Sequence, residues 1–330
     1  MLFWGGGKML ARLEAFIVEQ FVLVIIIGFV FGVLFQTIAA TFNPYILHLI
    51  VIVMYLAFLK LDFVFLKNEA KRWPLQLYLC ITTLIIGPLI IFYCTEIISK
   101  LLGLDQNIAI GALILFASPT AVLAATLTMI LKGNFEKSML NMVITSLLAP
   151  ITLPLMLNFF SSNPVSFSYM QLAKTLLILI IVPFALAMLT RGISRKWTQT
   201  LTSHNAAASV VLLTCVEIGS LHGFRNIIYG DFPYIAKLML LSFILLLIAF
   251  VLGWVIEFRR SPLEKLTNAL LMTWANLGLA IGIANIFYRK EAQTIVVFLT
   301  VMVLPWHISI VLAKKVANKI QKKKLPATAA

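Results

Sequence analysis

The sequence predicts an all-α membrane protein of ten transmembrane helices, built as two inverted halves of five, with discontinuous crossing helices in fourth and ninth place. Three observations predict it. First, 62% of the 330 residues are hydrophobic and 12% are charged, against about 45–50% and about 25% in soluble domains. Disorder is excluded as well, because it needs low hydrophobicity and high charge. Second, the apolar residues come in runs close to the ~20 residues that a bilayer core of about 30 Å requires. Third, the basic residues fall between the runs and mostly on alternate sides of them, which is the orientation pattern of a membrane protein.

The ten runs span 15–36, 45–66, 74–99, 106–131, 136–160, 170–190, 204–224, 233–257, 264–287 and 292–316. They leave short loops and no room for a separate soluble domain, so residues 1–330 read as one polytopic transmembrane domain. The first run, Phe16 to Phe35, is longer than a signal-peptide core and is followed by no small-residue cleavage site, so it reads as a retained helix. The third and eighth are long enough to imply tilt. The fourth carries Ser118-Pro119-Thr120. The ninth carries Thr273-Trp274-Ala275-Asn276 with Gly278 and Gly282. Both are weak as continuous lipid-facing helices. Residues 317–330 form a basic cytoplasmic tail in which Gln321-Lys322-Lys323-Lys324 serves as an orientation signal able to touch anionic lipid.

Net charge is +14, from 26 Lys+Arg and 12 Asp+Glu. Nucleic-acid binding needs basic residues gathered on one solvated face, and that is not their distribution. With the N-terminus in the cytoplasm, 20 of the 26 basic residues fall inside, Lys132 and Lys137 among them, and 6 fall outside. The positive-inside rule therefore places both termini in the cytoplasm and the chain in the plasma (inner) membrane.

Five helices per half make the second half enter from the opposite side, the inverted-repeat arrangement of secondary transporters. The repeats cover about 15–160 and 170–316. Broken segments at corresponding places in the two halves are the sequence pointer to a midplane binding site. For either segment alone a plainer reading holds, in which Pro119 kinks one helix and the glycines allow close packing. Their matched placement favours a crossing site.

Polar residues inside lipid are costly and face a cavity or a partner helix. Thr120, Thr126 and Thr128 punctuate the fourth segment, where each hydroxyl can instead bond the preceding turn. Asn276 has several hydrogen-bonding positions to satisfy; it either knits the crossing together or reaches a solute. Trp274 lines an apolar pocket or packs. The expected substrate-binding set at the crossing is Pro119, Thr120, Thr126, Trp274, Asn276 and His307. Glu217 lies deep in the seventh segment, roughly 20 Å from its cytoplasmic end at about 1.5 Å per residue. It either pairs with His222 or Arg225 or exchanges a proton. His307, which titrates near neutral pH when unperturbed, is the other candidate proton site.

No enzyme constellation is present: there is no H-E-x-x-H, no phosphate-cradling glycine loop and no Cys-x-x-Cys pair. Cys80, Cys94 and Cys215 lie inside apolar runs without metal-ligand spacing and read as small buried hydrophobes. Neither a cofactor nor a nucleic-acid partner is expected.

The string GALILFASPTAVLAATLTMILKGNFEKSMLNMVITSLLAPITLPLM, with its landmarks Pro119, Gly133-Asn134 and Leu148-Ala149-Pro150 to Pro154, resembles the bile acid:sodium symporter family. Asn276, Gly278, Leu279 and Ala280 match a further family motif, as do Trp306, His307 and Ser309. Asp62-Phe63, Pro88 and Pro183 match more weakly. The resemblance covers nearly the whole chain. It implies a panel of helices 1, 2, 6 and 7 beside a core of helices 3–5 and 8–10, with helices 4 and 9 crossing in the core. It also implies a small-molecule solute, an organic anion or similar, carried by alternating access.

The chain departs from the family at the positions that hold sodium in coupled relatives. Matched residue by residue, the first site falls on Ala124, Ala125, Ser138, Met142 and Leu271, and the second on Ala275 and Thr83. Methyl groups offer a sodium ion no oxygen. The expectation is that neither sodium site exists in its familiar form, and that no metal is bound. The function this supports is a secondary-active or facilitative carrier of an organic anion without the family's usual sodium coupling. The alternative is a non-transporting membrane sensor or binding protein on the same scaffold. A metalloid efflux carrier is disfavoured by Phe116-Ala117-Ser118, where a thiol is expected.

Overall fold

The computed structural model describes residues 4–61, 71–160, 169–223, 225–288, 292–302, 305–306, 313 and 315–320. Among the described residues the secondary structure is helical, apart from one isolated backbone bridge. The helices are α1 (Trp4–Glu19), α2 (Phe21–Leu34), α3 (Gln36–Phe42), α4 (Ile46–Leu59), α5 (Trp73–Ile81), α6 (Gly87–Leu102), α7 (Asn107–Phe116), α8 (Val122–Ile130), α9 (Phe135–Phe160), α10 (Tyr169–Ile193), α11 (Arg195–Ser220), α12 (Arg225–Gly230), α13 (Phe232–Ile256), α14 (Pro262–Thr273), α15 (Leu277–Phe287) and α16 (Ala292–Val301).

Among the described residues, six continuous stretches are long and apolar enough to cross a bilayer: Gln36–Leu59, Trp73–Leu102, Phe135–Phe160, Tyr169–Ile193, Arg195–Ser220 and Phe232–Ile256. This is an integral membrane protein. Six is fewer than the ten expected, and three of the expected segments, the first, fourth and ninth, are divided. The first segment turns by 81° between Arg12–Glu19 and Leu23–Leu34, at the polar pair Glu19-Gln20. The expected helix 15–36 is thus two elements, of which α1 carries the charges and α2 is apolar. The fourth segment is divided into α7 and α8, and the ninth into α14 and α15. In the tenth, α16 ends at Val301, and residues 303–304, 307–312 and 314 lie outside the described residues.

Boundaries follow from capping chemistry. Ser261 accepts the Glu264 N–H at 3.4 Å, with Pro262 at the first helical position, and so starts α14. Ser194 accepts the Trp197 N–H at 3.2 Å and starts α11 nine residues before the expected position 204. Gly103, at φ 64°, closes α6, with the Leu104 N–H on the Ser99 carbonyl at 2.8 Å. The third segment is continuous from Trp73 to Leu102 but contains a π-turn at Thr82–Ile86. Pro88, just beyond it, has no N–H for the α-helical ladder, so a wider turn absorbs the missing bond.

The chain divides into two compact units, one of residues 1–61 with 177–231, the other of residues 62–176 with 232–330. In the first unit, α11 packs on α2, α3 and α4 through small residues. A Cβ at Gly28 would lie 2.4 Å from Thr214 Cγ2, and one at Gly219 would lie 3.0 Å from the Phe42 backbone, so these helices approach as closely as glycine permits. Several polar groups are satisfied inside the unit. The Arg191 guanidinium donates to the Leu59 carbonyl at 3.1 Å and to the Leu61 carbonyl, covering the orphan end of α4. Asn205 donates to the Leu56 carbonyl, and Glu14 pairs with His204 at 2.8 Å.

In the second unit, α13 and α14 are pressed together at Gly253, where a Cβ would meet the Asn268 carbonyl at 2.4 Å. α7 is buried throughout its last six residues. A charged cluster lies inside this unit. Lys137, assigned to a solvated cytoplasmic set by the charge pattern, is 1% exposed. Its ammonium donates to Glu257 and, at 3.0 Å, to Glu264.

Candidate functional site

The two broken segments meet in the second unit. α7 ends at Phe116, and Ser118 returns its hydroxyl to the Ile114 carbonyl at 2.7 Å. Pro119 then supplies no N–H, and the backbone is extended at Ala121 (φ −69°, ψ 148°) before α8 begins. α14 ends at Thr273, with Trp274 (φ −104°, ψ 73°) and Asn276 (φ −80°, ψ 86°) non-helical before α15. Thr120 and Ala275 form an antiparallel bridge. The Ala121 N–H donates to the Trp274 carbonyl at 2.8 Å, and the Asn276 N–H donates to the Pro119 carbonyl at 2.8 Å. Peptide groups released by breaking two helices are thus satisfied by one another, which is how non-helical backbone is tolerated away from water.

Side chains complete the crossing. The Thr120 N–H donates to Thr145 Oγ1 at 3.2 Å, and the Thr120 hydroxyl donates to Asn141 Oδ1 at 3.0 Å. The Thr145 hydroxyl donates to the Asn141 carbonyl at 2.8 Å. Asn276 Oδ1 accepts the Leu279 N–H at 3.0 Å and so caps α15. Trp274 is buried and stacks on Trp306 with ring centroids 4.8 Å apart and planes at 20°. Pro119 and Thr120 are buried beside them, and Thr126 is half-buried one turn into α8. His307 lies outside the described residues. Sequence reasoning missed Asn141 and Thr145; their spacing of four on α9 places both on one helix face and was the available signal.

The seven positions matched to sodium sites are buried; five are apolar, and Ser138 and Thr83 carry hydroxyls. Ala124, Ala125, Met142 and Leu271 are each no more than 2% exposed. The Thr128 hydroxyl lies 3.4 Å from Ser138 Oγ and 2.8 Å from the Ala124 carbonyl. The Thr83 hydroxyl is turned back onto the Leu79 carbonyl at 2.8 Å. Ala275 is the bridge residue itself.

Glu217 is buried in the first unit, and its Oε1 has no hydrogen-bond partner. Among the described residues no ion pair joins it to His222 or Arg225, both of which are exposed. The Arg225 guanidinium lies over the Tyr229 ring instead, 5.8 Å from its centroid.

Among curated proteins none matches the chain significantly. A sequence model of the sodium bile acid symporter family matches residues 46–229, more than half of the chain, and the chain belongs to that family.

Proposed function

We propose that this chain is a carrier of an organic anion or similar small solute that works by alternating access without the sodium coupling usual in its family. The family is one of transporters rather than enzymes. The observation that carries the finer reading is the backbone bridge of Thr120 with Ala275, set beside sodium positions that present methyl groups. Helices α8 and α15 both begin at this bridge. Their amide-rich N-termini carry partial positive charge and suit an anionic group. Pro119, Thr120, Thr126, Trp274, Asn276 and His307 are the proposed solute-facing set.

The division into two compact units supports a panel of helices 1, 2, 6 and 7 and a core of helices 3–5 and 8–10; the proposed inverted repeat pairs residues of about 15–160 with those of about 170–316. The charge asymmetry supports a plasma-membrane protein with both termini in the cytoplasm. Glu217, a buried carboxyl with an unpartnered oxygen, is the proposed proton site, and His307 is the alternative.

Uptake of a panel of labelled organic acids into proteoliposomes tests this, under imposed sodium and proton gradients. The expected result is uptake that continues when choline replaces sodium. Uptake that stops in choline overturns the uncoupled reading. Solute binding without uptake overturns the carrier reading in favour of a sensor.

A further inference from the structure

A carboxylate pair and a buried ammonium converge where α9, α13 and α14 meet. Lys137 stands in the first turn of α9. Its Nζ donates to Oε2 of Glu257, just beyond the end of α13, and to Oε2 of Glu264 in the first turn of α14 at 3.0 Å. Each carboxylate is held from a second direction. Asn268 Nδ2 donates to Glu257 Oε2 at 2.6 Å, and Asn134 Nδ2 donates to Glu264 Oε1 at 3.0 Å. Asn134 is itself fixed, its N–H on Thr267 Oγ1 at 2.9 Å and its Oδ1 accepting the Lys137 N–H at 3.0 Å. Gly133 allows that approach, because a Cβ there would lie 2.6 Å from Thr267 Oγ1.

The cluster has more acceptor capacity than it uses. Asn268 is 1% exposed, and its Oδ1 has no hydrogen-bond partner, although its amide is anchored to Glu257. Two carboxylates drawn out of water need a compensating cation, so the cluster is built around positive charge. The surrounding charges are Arg260, whose Nε lies 3.6 Å from Glu257 Oε1 and which is largely exposed, and Arg72, which acts on Glu264. The ammonium of Lys137 reaches the interior on an apolar four-carbon stem.

We propose that these oxygens form a monovalent-cation site whose permanent occupant is the chain's own Lys137 ammonium. The ammonium compensates Glu257 and Glu264 and joins α9 to α13 and α14. Removing it while leaving the oxygens opens a vacancy for a small cation from solution: sodium, ammonium or a short alkylammonium. The cage stands on this geometry. Its consequence for transport, that the core needs no dissolved ion to hold its shape, rests on the reading of a carrier without sodium coupling.

The test is thermal unfolding of the purified full-length protein in detergent, at constant ionic strength, with choline replaced stepwise by sodium, ammonium or propylammonium. Lys137→Ala is expected to melt lower than wild type in choline and to rise saturably with at least one of the three cations, while wild type stays flat. Adding Glu257→Gln and Glu264→Gln to Lys137→Ala is expected to abolish the rise. Lys137→Gln, which keeps part of the stem, is the second variant should the alanine form not accumulate. A flat response of both variants overturns the proposal. So does a saturable rise in wild type, or a rise that survives loss of both carboxylates. Failure of both variants to fold even with propylammonium present during extraction also overturns it. Sodium dependence of wild-type uptake is read separately, and its outcome leaves this titration unaffected.

Discussion

The Asn276 N–H donates to the Pro119 carbonyl at 2.8 Å, joining residues 157 positions apart in the chain. Pro119 interrupts one helix, and Asn276 begins another. The hydrogen bond makes the two interruptions a single feature, because each break supplies the partner that the other lacks.

Asn276 also caps α15 through its side chain, and this separates a structural role from solute contact. Asn276→Ala is expected to cost about 0.5–2 kcal/mol, the ordinary loss for an N-cap. Asn276→Asp keeps the cap oxygen and is expected to recover most of that stability, but to weaken uptake of an anion by placing like charge at the crossing. Thermal unfolding and uptake measured on both variants check this.

Thr145 gives the buried Thr120 N–H its acceptor. Thr145→Val removes the oxygen at nearly constant volume and is expected to destabilise by about 1–3 kcal/mol, the range for a buried donor left unsatisfied. Thr145→Ser is expected to restore stability. Equal melting temperatures for the valine and serine forms would count against the hydrogen bond.

Gly253 and Gly192 form a matched pair of tests of close packing. A Cβ at Gly253 meets the backbone of α14, whereas one at Gly192 has open space around it. Gly253→Ala is expected to lower stability by about 1–3 kcal/mol through overpacking. Gly192→Ala is expected to be neutral or stabilising by up to about 1 kcal/mol, because it replaces a helical glycine. Unfolding of the two single variants in the same detergent decides it.

Glu217 has no cationic partner among the described residues, so Glu217→Gln removes no ion pair. The variant is expected to melt no lower than wild type, because a neutral amide is cheaper to bury than a carboxylate. If Glu217 carries the coupling proton, the same variant loses the acceleration of uptake by an inward proton gradient. Acceleration equal to wild type would remove Glu217 from that role.

The membrane class, the position of most helices and the places where two of them break are legible in the sequence because their causes are local. An apolar run of sufficient length forms a helix in lipid wherever it occurs. Pro119 disrupts the ladder with its own missing N–H, and Pro88 forces a π-turn within one turn of itself. Helix starts were read less well: α11 begins at a serine cap that precedes the apolar run, and α1 breaks from α2 at a polar pair that hydropathy averages away.

Composition and spacing therefore determined that this chain lives in a bilayer as helices and that the segments holding Ser118-Pro119-Thr120 and Thr273-Trp274-Ala275-Asn276 are weak as continuous ones. The tertiary structure alone decided that those two stretches hydrogen-bond to each other, that Asn276 caps α15, and that Asn141 and Thr145 serve the crossing. It alone decided that Lys137 is an interior cation; its partners Glu257 and Glu264 lie 120 and 127 residues away, and no local pattern distinguishes such a lysine from one in a solvated loop. The physical reason is common to all of them. A helix satisfies its own backbone within four residues, whereas a freed peptide group or a buried charge must find a partner that only the packed fold can deliver.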